Sequence, residues 1–399
     1  MPAEANNHSD GAGTVLDVHL IGGFANRMIQ YMVVRTIADE VPGCRIANVE
    51  MPEWGIYHPK LDEAHDFGAK APTARNDIDI GEIVKLLSKG EGARFTFKSY
   101  AQWFPNFPSV PQCRSMFPCE GRDYPGFGSD CLVCNIRGAE ILDGRHGNYV
   151  LLPIKFYAEL AHRFSLKLVF MGQIEDNPYC NSLKKQFPDA KFCESRGPMA
   201  DFQTFRNSKN LVMAVSTFSW LSAWLSHAER IIFPMNGILN PKQCPAVDLL
   251  PYPDDRYQYY LFPNNSAVPL ERLEASHESL QGKWELLPPE MIPKIRASIY
   301  RSPDRFFDRF LSMFDEEFYL RSNLDVARVV RAGRIVSGRD HYVSYGFSEG
   351  RAGFAFDDSW YRVQYPDAAL EVERGTYPDL RHHFVLAGAE QGHKPVRDR

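Results

Sequence analysis

The strongest constraint on this chain is the regular alternation of short apolar runs with helical periodicity between residues 130 and 234. Cys131 to Ile136 reads as a buried strand, and the helix after it places Tyr157, Leu160, Ala161 and Phe164 on one face. Lys167 to Met171 reads as the next strand, followed by a helix opened by Asn177 and Pro178, a cap and first-turn pair. A short strand at Ala190 to Cys193 and a short helix from Asp201 come next. A strand at Asn210 to Val215, a helix at Phe218 to Ser226 and a strand at Arg230 to Pro234 complete the series. Strands separated by helices need crossover connections, so the pattern implies a parallel sheet with helices on its faces.

A unit of the same kind opens the chain. From Val15 to Ile21, Leu16, Val18 and Leu20 alternate with Asp17 and His19. Gly22 and Gly23 follow, and Ile29, Met32, Val33, Thr36 and Ile37 then recur with helical spacing. Strand, Gly-Gly turn and helix form the opening of a nucleotide-binding α/β domain. Residues 52–128 are rich in Pro, Gly and aromatics and yield loops and short elements, with a helix at Ile80 to Leu87. Two α/β lobes, each with a loop aimed at a shared cleft, point by analogy to the GT-B architecture.

The texture changes near residue 314, where an internal repeat begins. Phe314, Tyr319, Asp325, Gly333, His341, Gly346 and Gly350 recur at a constant offset as Phe356, Tyr361, Asp367, Gly375, His383, Gly388 and Gly392. Each copy reads as short helices, with the glycines as helix C-caps, and two copies are expected to pack on each other. The expected organisation is a disordered tail at 1–13, an N-terminal α/β lobe at 14–128 and a C-terminal nucleotide-sugar-binding α/β lobe at 129–263. A Pro-rich linker at 264–313 and the all-α repeats at 314–399 follow.

Bulk properties narrow the function. With 44% apolar and 24% charged residues the chain is of ordinary globular composition, and a net charge of −5 gives no reason to expect nucleic acid. Lys and Arg are scattered, with no basic block standing out. The start lacks the basic and apolar regions of a signal peptide. The most apolar long window, Leu211 to Leu225, is broken by Ser216, Thr217, Ser219 and Ser222 and is too short to span a bilayer. The expected location is cytoplasmic, with no transmembrane segment. Eight cysteines are too few for a disulfide scaffold. The spacing of Cys113, Cys119, Cys131 and Cys134 invites zinc, but Cys131 and Cys134 flank apolar residues in a strand, where metal knuckles want Gly or polar turns. Buried free thiols are expected, and no metal.

Three loops could carry chemistry. Gly22-Gly23-Phe24-Ala25-Asn26-Arg27 sits at a strand-to-helix turn, where backbone amides can approach a phosphate or where the glycines simply make the turn. Arg137, in Asn135-Ile136-Arg137-Gly138-Ala139-Glu140, follows a strand and could pair with a diphosphate or with Glu140. Ser216-Thr217-Phe218-Ser219-Trp220 lies between strand and helix, offering either a helix cap or hydroxyls and N–H groups for a phosphate. Asp201 opens a helix, as a cap or as a reader of a base edge.

These loops carry a resemblance. Gly22-Gly23-Phe24-Ala25-Asn26-Arg27-Met28-Ile29-Gln30-Tyr31 is similar to the Gly-Gly-x-Gly-Asn-Gln opening of bacterial α-1,2-fucosyltransferases. Asn135 to Glu140 resembles the His-x-Arg-Arg-Gly-Asp motif of the wider superfamily. Ser216 to Trp220, with Ala223-Trp224-Leu225, resembles their Ser-(Ser/Thr)-Phe-Ser-Trp motif. The chain departs from the pattern at Asn135, Gly138, Ala139, Glu140, Arg27 and Ala25. The resemblance covers roughly residues 14–245 and implies a GT-B fold and metal-free, inverting transfer of fucose from GDP-fucose to a glycan or polysaccharide acceptor, the GDP-sugar being substrate and no cofactor being needed. It implies donor contacts from Gly22, Gly23, Arg27, Arg137, Asp201, Ser216, Thr217, Phe218 and Ser219, with Asn26 near the transfer centre. Displacement at the sugar also needs a base for the acceptor hydroxyl, for which Glu140, Asp143 and His146 are the candidates. The repeats resemble those appended to bacterial polysaccharide-synthesis proteins, implying docking of the acceptor or of a protein partner. A non-catalytic nucleotide- or carbohydrate-binding relative is the alternative.

Overall fold

The computed structural model describes residues 13–61, 69–70, 76–89, 93–119, 124–138, 141–142, 144, 147–300, 309–347, 349–373, 377 and 379–397. The α/β class expected from the sequence is the one observed. The chain divides into two compact units, Met1–Pro118 and Cys119–Arg399.

The first unit contains β1 (Val15–Val18), α1 (Phe24–Glu40), β2 (Arg45–Ala47), a small antiparallel pair β3 (Glu50–Met51) and β4 (Ile56–Tyr57), β5 (Ala69–Lys70), α2 (Ile80–Leu87), β6 (Arg94–Phe97) and α3 (Val110–Met116). Its main sheet has the order β2-β1-β6-β5 and is parallel throughout. The apolar–polar alternation does form a strand here, and all four residues of β1 are buried, the polar Asp17 among them. Asp17 is accommodated there because Arg94 of the adjacent strand reaches its Oδ2 at 2.7 Å and Asn48 donates to Oδ1 at 2.6 Å. A carboxylate can stay in such a place only when paired and hydrogen-bonded. Burial alone would raise the Asp17 pKa, but the bonds from Arg94 and Asn48 outweigh it and hold the group below its ordinary 3.8.

The second unit contains β7 (Cys131–Ile136), α4 (Ile154–Phe164), β8 (Lys167–Gly172), α5 (Pro178–Gln186), β9 (Lys191–Glu194), α6 (Pro198–Arg206), β10 (Asn210–Val212), α7 (Thr217–Trp224), β11 (Arg230–Met235), β12 (Tyr257–Leu261), α8 (Leu270–Leu280), β13 (Glu285–Leu287) and α9 (Met291–Tyr300). Its sheet order is β9-β8-β7-β10-β11-β12-β13. Numbered within the unit, the first six strands run 3-2-1-4-5-6, the doubly wound dinucleotide-binding order. Only β13 is antiparallel. The central strands are continuous apolar runs because helices cover both faces; Leu132, Val133, Leu211, Val212, Ile231 and Ile232 are all buried. Among the described residues no helix is long and apolar enough to cross a membrane.

The stretch 264–313, expected as a linker, is instead built into this unit as far as it is described. β13 bonds to β12, and α9 buries Ile292 and Ile295. Arg296 pairs through Nε with Asp248 Oδ2 at 2.8 Å, where the Asp248 side chain is fully buried. The prolines mislead because Pro288 and Pro289 precede α9 and Pro293 falls in its first turn, a position that tolerates proline.

The repeat copies take the same local structure. Helices Glu316–Ser322, Leu324–Arg331 and Gly338–His341 end in a π turn at Tyr342–Gly346. Helices Asp358–Gln364, Pro366–Glu373 and Leu380–His383 end in one at Phe384–Gly388. Asp315 and Asp357 cap the first helices, accepting from Phe318 and Trp360 at 2.9 Å each. Tyr319 Oη meets His341 Nδ1 at 2.9 Å, and Tyr361 Oη meets His383 Nδ1 at 3.0 Å. Gly346 and Gly388 are read from sequence as C-caps; the observed reason for glycine is space. A Cβ at either would stand 1.9 or 2.2 Å from the hydroxyl of Tyr319 or Tyr361. Phe347 packs against the cores of both copies, which therefore lie on each other as expected.

Two outcomes follow from the buried ion pairs. Asp248→Ala removes the buried carboxylate that pairs with the Arg296 guanidinium and is expected to cost about 3 kcal/mol in denaturant unfolding. A depressed folded-state pKa makes the Asp17 contribution complete above its unfolded value, near 3.8, and lost as pH falls through the lower folded value. Asp17→Asn should accordingly flatten the acid limb of the stability–pH curve, read by urea unfolding across that window. An unchanged acid limb would remove Asp17 from the account.

Candidate functional site

Ligands of open parallel sheets bind beyond the carboxyl ends of the strands, at the point where strand order reverses. In the second unit that point lies between β7 and β10, which pair through Leu211 with Val133 and Val212 with Cys134. β7 runs directly into Arg137 and Gly138, and β10 runs through Met213, Ala214 and Val215 into the Ser216 cap of α7. Two of the three motifs picked out in the sequence thus emerge at one sheet end, on neighbouring strands.

Their side chains have distinct jobs. The Arg137 guanidinium lies over the Tyr149 ring, 4.3 Å from its centroid. Burial raises the Tyr149 hydroxyl pKa, and the positive charge of Arg137 opposes that rise. The Gly138 N–H donates to Gln173 Oε1 at 3.0 Å, tying the end of β7 to the end of β8. Ser216 Oγ accepts from the Ser219 N–H at 3.1 Å, and Ser219 Oγ accepts from the Ala214 N–H at 2.9 Å. These two hydroxyls are buried and shape the strand-to-helix turn. Thr217 opens α7, also buried, and Phe218 packs edge-on against Phe202 of α6. The positive end of α7 accordingly faces the carboxyl end of the sheet. Asp201 is engaged at the start of α6, accepting from Ser195 Oγ at 2.5 Å and from the Arg196 N–H at 3.1 Å.

The loop after Arg137 is held by segments that come later in the chain. The Asn148 carbonyl accepts from the Ile238 N–H at 2.7 Å. The Asn148 side chain lies directly under Gly350 of the first repeat copy, where a Cβ would come within 2.8 Å of its Nδ2. Glu140, Asp143 and His146, with Ala139, lie outside the described residues.

In the first unit the order reverses between β1 and β6. Gly22 takes a left-handed φ of 76° and Gly23 caps α1 without a side-chain bond. The fully buried Gln30 clasps the turn, with Oε1 accepting from the Ile21 N–H at 2.9 Å and Nε2 donating to the Ile21 carbonyl at 2.7 Å. Asn26 Oδ1 accepts from Gln102 Nε2 at 3.0 Å, and Gln102 comes from the loop after β6. Gln102 Oε1 is buried with no hydrogen-bond partner among the described residues. Arg27 pairs with Glu53 at 3.0 Å. Tyr149, Gln173 and Gln102 are the residues that sequence reasoning missed. Each becomes notable only once the strand order places its loop next to a motif.

The cysteines that invited zinc have separate surroundings. Cys113 and Cys134 are buried, which pushes the first thiol up to about 12 and the second well above its ordinary range. Cys119 donates to Asn207 Oδ1 at 3.2 Å, and Cys131 donates to Asp130 Oδ1 at 3.6 Å. Among the described residues no three His, Cys, Asp or Glu side chains gather as metal ligands.

No family model and no curated protein matches the sequence. Among solved structures, the chain is similar to a mutant form of Arabidopsis thaliana FUT1 in complex with GDP, at 10% identity and a TM-score of 0.34, over 57% of this chain and 72% of that one. A likeness this distant carries no assignment by itself.

Gly22→Ala tests the first loop. The added methyl would sit 2.7 Å from Asn26 Nδ2 and 2.9 Å from Tyr100 Cε1, at a φ that alanine disfavours. The expected cost is about 2 kcal/mol in denaturant unfolding. Wild-type stability would mean that the turn relaxes freely.

Proposed function

We propose that the protein is a glycosyltransferase that binds a nucleotide sugar at the switch point of its second sheet, with GDP-fucose as donor and a glycan or polysaccharide as acceptor. The observation that carries this reading is the adjacency of β7 and β10, which delivers Arg137 and the Ser216–Thr217 turn to the same carboxyl edge. The family resemblance of those two segments supplies the identity of the donor.

The chemistry needs stabilisation of the departing diphosphate. A guanidinium and the positive end of a helix meet that need without moving during reaction. Tyr149 acts as a positioning residue by giving the Arg137 plane a ring to stack on. Ser216 and Ser219 serve by fixing the α7 turn, their hydroxyls being bonded to the backbone. Asp201 holds the loop at residues 195–197 through Ser195 and Arg196 at the start of α6. Asn26, anchored by Gln102, is the first-unit residue assigned to the transfer centre, with Gly22 and Gly23 beside it. Arg27, paired with Glu53, would have to leave that carboxylate to reach the donor. The base is assigned to the group Glu140, Asp143 and His146, transfer proceeds with inversion, and neither metal nor cofactor takes part. A second reading, binding without turnover, is favoured by Asn135, which stands where the resembled motif has a histidine.

Calorimetric titration of GDP, UDP and ADP without divalent metal tests the donor class, with GDP expected to bind tightest. Arg137→Ala should weaken GDP by about 1.5–3 kcal/mol, the range of a charge-assisted contact, with an unchanged circular dichroism spectrum. Equal affinity for all three nucleotides would point to another donor, and unaltered GDP binding by a folded Arg137→Ala protein would remove Arg137 from the site. Tight GDP binding without release of fucose from GDP-fucose, with or without acceptor, would favour the second reading.

A further inference from the structure

The first repeat copy holds a feature that donor binding leaves unused. Residues 326–339 contain four arginines, Arg328, Arg331, Arg334 and Arg339, and no Asp or Glu, within a chain whose net charge is −5. Across the whole chain the basic residues look scattered; the folded repeat gathers these four within two short helices and the turn joining them. Arg328 and Arg331 are three residues apart on the helix Leu324–Arg331, whose other face buries Val326 and Ala327. Arg334 lies in the following turn and Arg339 in the first turn of the next helix. All four are exposed, and among the described residues none of them makes an ion pair, whereas their neighbour Arg351 is held by Asp325 and Glu349. At the turn between the helices Val336 stands 90% exposed.

The second copy is an internal control. The capping aspartates, the Tyr–His pairs and the tightly packed glycines recur there in the same local structure. At the positions of Arg328, Arg331 and Arg334 it carries Leu370, Glu373 and Thr376. The repeat fold therefore does not require these three arginines. We infer that the first copy docks the protein on an anionic membrane surface, with Arg328, Arg331, Arg334 and Arg339 against lipid phosphates and Val336 entering the headgroup boundary. A soluble polyanion would match the guanidiniums and leave Val336 in water. A bilayer interface accepts both the charges and the apolar tip. One small apolar side chain with four charges gives weak, reversible and salt-sensitive attachment.

The test is co-sedimentation of the full-length protein with vesicles of phosphatidylcholine alone or of phosphatidylcholine with phosphatidylglycerol. Binding is expected only to the anionic vesicles and should be released by salt. The combined variant Arg328→Gln, Arg331→Glu, Arg334→Thr should lose roughly tenfold or more in partitioning, given the contribution of each basic residue near a charged surface. Its melting temperature should stay at the wild-type value. The corresponding triple lysine variant should retain binding, which separates charge from folding, and Val336→Ser should weaken it a few-fold. Equal binding to neutral vesicles, no binding to anionic ones, or wild-type binding by the charge-removed variant would overturn the inference. Capture by soluble dextran sulfate without vesicle binding would overturn it in favour of a polyanionic partner.

Discussion

The register that pairs Val133 with Leu211 and Cys134 with Val212 is the constraint on which the second unit depends. β8 and β9, which lie between β7 and β10 in sequence, are wound to one side of that pair, and β11, β12 and β13 are wound to the other. A reversal of this kind leaves a gap at the carboxyl ends of the strands, between crossovers that lead away from each other. Arg137 and the Ser216 turn enter that gap because their strands end there. Their nearness is a property of the winding and needs no direct contact between them.

At the strand ends of each sheet, polar side chains are used largely to hold backbone. Ser219 caps the end of β10, Gln173 ties β8 to Gly138, and in the first unit Gln30 grips both polar groups of Ile21. A loop that must present amides to a ligand cannot collapse onto itself, and buried hydroxyl and amide groups keep it open. Several residues of the three motifs are thus architectural, their polar atoms bonded to backbone so that they set the shape of the strand-to-helix turns.

The elements most readable from sequence are those set by local chemistry. The strand at Cys131–Ile136, the helix at Ile80–Leu87 and the Asn177–Pro178 helix start coincide with the observed elements, because apolar runs and caps act over a few residues. The features that were not legible depended on distant partners. The burial of Asp17 is legible only once Arg94 is known to lie on the adjacent strand, and the place of α9 only once Asp248 is seen beneath Arg296. Gly346 and Gly388 read as caps because the tyrosine hydroxyls that exclude a Cβ there come from another helix, whereas Gly333 has the left-handed φ of 69° that a cap glycine takes. At the site, Arg137 and Ser216 could be picked out by their place after strands, whereas Tyr149 and Gln102 carry no local signal, since their significance comes from what the winding sets beside them.

The contact of Gly350 with Asn148 bears on how the molecule is made. Asn148 emerges from the ribosome long before Gly350, so the strands on either side of the gap can pair while the loop carrying Tyr149 still lacks its contact with the first repeat copy. A nascent chain halted between the sheet and the first repeat would have the winding without that brace. The first repeat copy thus follows the sheet in the order of synthesis, and its contact with Asn148 belongs to a later stage than the pairing of β7 with β10.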